Sequence, residues 1–162
     1  MTKPEKFLGI ITVVSVVLKF RLVPYGGLLL VLSLATLAFY YYQFGKAIFN
    51  DIALKNSLKK DSYKEIQNSM VVLSKVAGIG LSLICIGAML RLNHWAYSSM
   101  ILIVGLGTTL LVSIVALIGW MKSKNETYIR ILKRSVIIGG FGLVVVLVPD
   151  LTFNAIVMKS TI

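Results

Sequence analysis

Apolar stretches punctuated by short polar breaks dominate the chain. The first runs from Phe7 to about Val23 and carries Lys19 and Arg21 near its end. After Pro24-Tyr25-Gly26-Gly27 a second continues from Leu28 to about Tyr42, so a tight turn joins the two and predicts a helical hairpin. Tyr40-Tyr41-Tyr42, followed by Gln43, marks where the second stretch meets a headgroup layer. A third stretch, Met70 to Leu92, has Lys75 near its start, where a long side chain can snorkel. Only Asn93-His94-Trp95-Ala96 separates it from a fourth, Tyr97 to Trp120, and this predicts a second hairpin. Spans are therefore expected over 7–23, 25–42, 70–92 and 97–120, each near the roughly 20 residues that cross a bilayer.

A fifth stretch, about Ser135 to Val148, stops at Pro149-Asp150. Fourteen residues reach only about 21 Å, short of a hydrocarbon core of about 30 Å. A helix over 128–149, with Lys133 and Arg134 snorkelling, is long enough, and we prefer it to a re-entrant or peripheral helix. Leu151 to Met158 then forms a short amphipathic tail. Residues 43–69 are the one extended polar segment. Phe44, Ile48, Ile52 and the Leu54/Leu58 pair recur at helical spacing among lysines, which fits either an amphipathic surface helix or a solvated helical linker.

Composition agrees with this pattern. The 162 residues are 57% hydrophobic and 14% charged, with a mean hydropathy of +0.89. A soluble domain of this size needs about 25% charged residues to coat its surface, which excludes a large soluble core. The expected class is an all-α polytopic membrane bundle in one domain, 1–162, with two tandem hairpins and a fifth helix. The excess of 17 Lys+Arg over 6 Asp+Glu sits beside hydrophobic segments, which points to membrane orientation and not to nucleic acid. The basic start and apolar run resemble a signal peptide, but Lys19-Phe20-Arg21 stands where a small-residue cleavage site would be, so a retained span is expected. Cys85 has no second cysteine and reads as a packing residue.

Basic residues also give an orientation. The N-terminus and the 43–69 and 121–134 segments fall on one side and carry twelve Lys and Arg. The other side has Lys19, Arg21, Arg91 and Lys159, and Lys75 lies at a boundary. The positive-inside rule puts the N-terminus and both longer loops in the cytoplasm, and with five spans the C-terminus outside.

A shift of 72 residues lays Leu18–Thr36 over Leu90–Thr108 without a gap. Leu18/Leu90, Tyr25/Tyr97, Leu30/Leu102, Leu34/Leu106 and Thr36/Thr108 are identical, and Lys19/Arg91 preserves charge. A parallel duplication of the hairpin is expected. The richest chemistry lies in the second turn, where Arg91, Asn93, His94, Trp95 and Tyr97 form a candidate polar site. Lys19, Arg21 and Tyr25 are its counterpart in the first. His94 is the one histidine, a residue type that can change charge near neutral pH. The cluster reads as a proton-linked switch, an anionic headgroup site or a partner-binding turn, against ordinary interfacial anchoring. No second His, Cys or carboxylate gives metal-ligand spacing. The first four stretches contain no Asp or Glu, and no nucleotide loop, nucleophile elbow or carboxylate pair occurs, so neither an ion-coupled pump nor an enzyme is indicated and no cofactor is expected.

The stretch Gly87 to Gly107 resembles the membrane hairpin of GldL-like proteins of Bacteroidetes, through Gly87, Leu90, Arg91, His94, Trp95 and Gly105. The resemblance implies the neighbourhood of the inner-membrane motor of gliding and type IX secretion. The motor's acidic residue in its second span has no counterpart in Tyr25–Tyr42 or Tyr97–Trp120, its long cytoplasmic region is missing, and the first hairpin has Leu22 and Val23 in place of His94 and Trp95. The expected role is a non-enzymatic accessory subunit whose partners are the lipid bilayer and other membrane subunits or itself. The alternatives are a small-molecule or lipid transporter with a site between the hairpins, and a lipid-modifying enzyme.

Overall fold

The computed structural model describes residues 2–21, 23–57, 59–64 and 66–147, and among these it has five α-helices and no strand. Helix α1, Lys3–Phe20, opens where the Glu5 carboxylate accepts the Thr2 backbone N–H at 2.9 Å, satisfying a donor that a helix start leaves over. Helix α2 is Gly26–Phe49, α3 is Asn68–Leu92, α4 is Ser98–Ser123 and α5 is Glu126–Leu147. The end expected for the fifth helix at 149 and the tail at 151–158 lie outside the described residues.

Helix α3 sits in the middle and packs against α2, α4 and α5, while α1 packs chiefly on α2. Leu30, Leu34 and Tyr41 of α2, Ala77, Leu81, Ile84, Cys85 and Ala88 of α3, Leu102 of α4 and Ile131 of α5 form one core. Small residues set the distances. A Cβ on Gly87 would stand 2.7 Å from the Leu102 backbone, and one on Gly105 would stand 2.8 Å from the Ile84 nitrogen. Helices α3 and α4 therefore touch backbone to backbone, the close approach by which membrane helices gain dispersion energy without a hydrophobic drive. A Cβ on Gly78 would likewise come within 2.6 Å of the Tyr41 carbonyl oxygen, so α2 and α3 meet in the same way.

Helices α2, α3 and α4 are long and apolar enough to cross a membrane. Burial covers 50% of the span window in α3 and only 28% in α4. Ile103, Leu110, Leu111 and Ile114 of α4 accordingly face outwards, which lipid tolerates and water does not. Helices α1 and α5 fall outside that set because each carries four charged residues: Lys3, Glu5, Lys6 and Lys19 in one, Glu126, Arg130, Lys133 and Arg134 in the other.

Two local expectations are corrected. Residues 43–69 do not form an amphipathic surface helix or a helical linker. Helix α2 continues through Phe49, and beyond it, among the described residues, two 3₁₀ turns, Leu54–Asn56 and Lys60–Tyr63, interrupt the loop. The helical spacing of Phe44 and Ile48 belongs to the inward face of α2, where Ala47, Ile48 and Phe49 are buried, and Asp51 ends the run at φ 59°. Arg134 does not snorkel either. It is 4% exposed and points into the bundle, whereas Lys133 faces outwards.

Candidate functional site

The two hairpin turns share one backbone course. Helices α1 and α3 end at Phe20 and Leu92, and α2 and α4 begin at Gly26 and Ser98, all at the same 72-residue offset. Val23 donates to the Leu18 carbonyl at 3.1 Å and Trp95 to the Leu90 carbonyl at 2.9 Å, the six-to-one bond that closes a helix C-terminus. In the second turn the His94 N–H adds a bond of 3.0 Å to the Arg91 carbonyl, with His94 itself at φ 56°. His94 thus fills the left-handed capping position that glycine usually takes, a conformation histidine tolerates better than most residues. Tyr25 and Tyr97 cap the following helices at φ 67° and 60°.

Side chains at this end join the two hairpins. The Lys19 ammonium donates to Asn93 Oδ1 at 2.6 Å, and the Asn93 amide donates to the Met89 carbonyl at 2.7 Å. Arg91 donates from Nε to the Val145 carbonyl at 2.9 Å, from Nη2 to the Val146 carbonyl at 3.3 Å, and from Nη1 to Ser99 Oγ at 2.6 Å. A guanidinium on the last carbonyls of α5 supplies donors that a helix end lacks and favours its negative pole. Arg21, Tyr25, Trp95 and Tyr97 are exposed on the rim. The structure therefore brings Lys19 and Asn93 together and turns Arg91 to α5, while the aromatic residues face outwards.

The opposite end holds a cluster that the sequence reading missed. Arg134 donates from Nε to Glu5 Oε1 at 2.7 Å and from Nη2 to Oε2 at 3.0 Å, a two-pronged pair fully inside the bundle. The Tyr41 hydroxyl donates to Glu5 Oε1 at 2.6 Å, and the Phe49 ring lies 5.3 Å from the guanidinium carbon. Thr2 and Tyr40 bond through their hydroxyls at 2.7 Å beside it. Two buried opposite charges with their lone pairs and protons engaged form a tie between α1 and α5, which otherwise touch little. Thr2-x-x-Glu5 is a capping-box signature and was visible in the sequence, but nothing distinguished Arg134 among its basic neighbours.

Three hydroxyls of α1 and α2 are turned back on their own helices. Thr12 donates to the Leu8 carbonyl, Ser15 to the Ile11 carbonyl and Ser33 to the Leu30 carbonyl. A cleft of 280 Å³ at the loop end is lined by Asn50, Gln67 and Asn125, away from Lys19, Arg91 and His94.

Fold and charge placement together define a polytopic helical membrane protein. Residues 76–129 match the family model of the GldL N-terminal domain, about a third of the chain. The matched segment takes in most of α3, the His94 turn, all of α4 and the start of α5. This hairpin is GldL-like, and Gly87 and Gly105, which carried the resemblance, are the residues that bring α3 and α4 into contact. No curated protein and no solved structure matches the chain.

Proposed function

We propose that this protein is a non-enzymatic accessory subunit of an inner-membrane complex, in the neighbourhood of gliding or type IX secretion. We place its N-terminus and basic loops in the cytoplasm. The observation that carries the reading is the GldL-like hairpin at 76–129, in which α4 holds no acidic residue and turns most of its apolar surface outwards. A hairpin of the motor's kind without an acid is suited to contact and not to torque. Transport is disfavoured because Lys19 and Arg91, the groups that would line a site between the hairpins, are engaged with Asn93, Ser99 and the end of α5.

The test is a photo-crosslinking residue at Ile103 or Leu110 on the open face of α4 in living cells. Adducts with a component of the gliding or secretion machinery are expected. Recovery of lipid adducts alone, from every position on that face, would overturn the proposal.

A further inference from the structure

One face of α5 lines a cleft of 820 Å³ that includes Arg134 of the buried ion pair but none of the turn residues. Its loop end carries Glu126, Arg130 and Lys133, with Leu132 between the two cations, and its far end is a wall of Val136 and Ile137. Val136 is 73% exposed and Ile137 52%. Gly140 continues the same face three and four residues further on, and a Cβ there would meet nothing within 4 Å. Arg130 holds Glu126 at 2.8 Å and Asp51 at 3.1 Å through Nη2 alone, so its Nη1 and Nε remain available. Lys133 is exposed and has no carboxylate partner among the described residues.

We propose that this cleft binds one anionic glycerophospholipid. Its phosphate would sit on Lys133 and the remaining N–H groups of Arg130, and one acyl chain would run along Val136, Ile137 and Gly140. The spacing fits. Arg130 and Val136 are separated by about 9 Å along the helix axis, comparable with a headgroup layer of about 5–8 Å per leaflet. Charge complementarity selects the headgroup, because a zwitterionic lipid brings its own cation against Lys133. The apolar wall selects a lipid over free phosphate, which would leave Val136 and Ile137 uncovered. The site lies outside most of the GldL-like segment and does not depend on the accessory-subunit reading.

The experiment is native mass spectrometry of the purified full chain in mild detergent, equilibrated with phosphatidylglycerol or phosphatidylcholine. We expect one phosphatidylglycerol retained per chain, and phosphatidylcholine retained about fivefold less. Lys133→Gln is expected to lower phosphatidylglycerol retention about fivefold, and Val136→Trp to displace it by filling the wall. Lys122→Gln, an equal loss of charge on the exposed end of α4, leaves retention unchanged. All three positions are exposed, and unchanged melting temperatures check that the variants fold. Equal retention of the two lipids, an equal effect of Lys122→Gln, or displacement of the lipid by inorganic phosphate would each overturn the proposal.

Discussion

The two hairpins follow one backbone course at their turns and are held in place by different forces. Helices α3 and α4 interlock through Gly87 and Gly105, with backbones in contact along the seam. Helix α1 packs chiefly against α2, and polar ties fasten it at either end: Glu5 to Arg134 and Tyr41 at one, Lys19 to Asn93 at the other. Dispersion is spread over many atoms and survives the loss of any one of them, whereas a polar tie in a low-dielectric site rests on a few atoms. The same turn can thus be built twice, once on a rigid hairpin and once on a helix whose seat depends on partners far away in sequence.

Breaking the first hairpin's seat should have the largest effect. Arg134→Met leaves the Glu5 carboxylate buried without its partner and is expected to cost about 3–5 kcal/mol, read as a lower unfolding midpoint in detergent. The double variant Glu5→Leu/Arg134→Met should recover most of that loss. If the double variant is as unstable as the single, the tie is not what seats α1.

The second hairpin should respond to volume and not to charge. Gly87→Val drives a branched side chain into the Leu102 backbone and is expected to cost about 1–3 kcal/mol by the same measurement. A neutral result would mean that α3 and α4 are not in close contact. Between the hairpins, a double-mutant cycle of Lys19→Met with Asn93→Ala should give a coupling of about 1 kcal/mol. Additive single effects would show that the two turns stand independently.

The smallest effect belongs to His94. At φ 56° glycine fits better, so His94→Gly is expected to stabilise by about 0.5 kcal/mol, while β-branched His94→Val destabilises by about 1 kcal/mol. Loss of function in the stabler His94→Gly variant would assign the imidazole a chemical role beyond capping.

The helical membrane class was legible because apolar runs near 20 residues admit few other solutions. The turns could be placed because Pro24, Gly26 and Asn93 punctuate those runs. The end of α2 could not, since Phe44 and Ile48 repeat at helical spacing whether they face a membrane surface or the bundle core. The candidate residues at the turns were visible as a cluster, but their pairing was not. Lys19 meets Asn93 across 74 residues. Glu5 and Arg134 lie 129 residues apart, and no local pattern marks either as the other's partner. Read alone, Glu5 was a carboxylate between two lysines ahead of a span and Arg134 one cation among five.

That separation also sets an order of events during synthesis. Glu5 leaves the ribosome 129 residues ahead of Arg134, an interval on the order of ten seconds at ordinary elongation rates. Until the fifth helix arrives, the carboxylate has only Thr2 and Tyr41 to satisfy it, and water or headgroups must supply the missing charge. The tie that fastens the first helix to the bundle at this end therefore closes only after the fifth helix has been made. A chain truncated before α5 would expose an unpaired carboxylate at the edge of the bilayer, a mark by which quality control could tell an unfinished protein from a finished one.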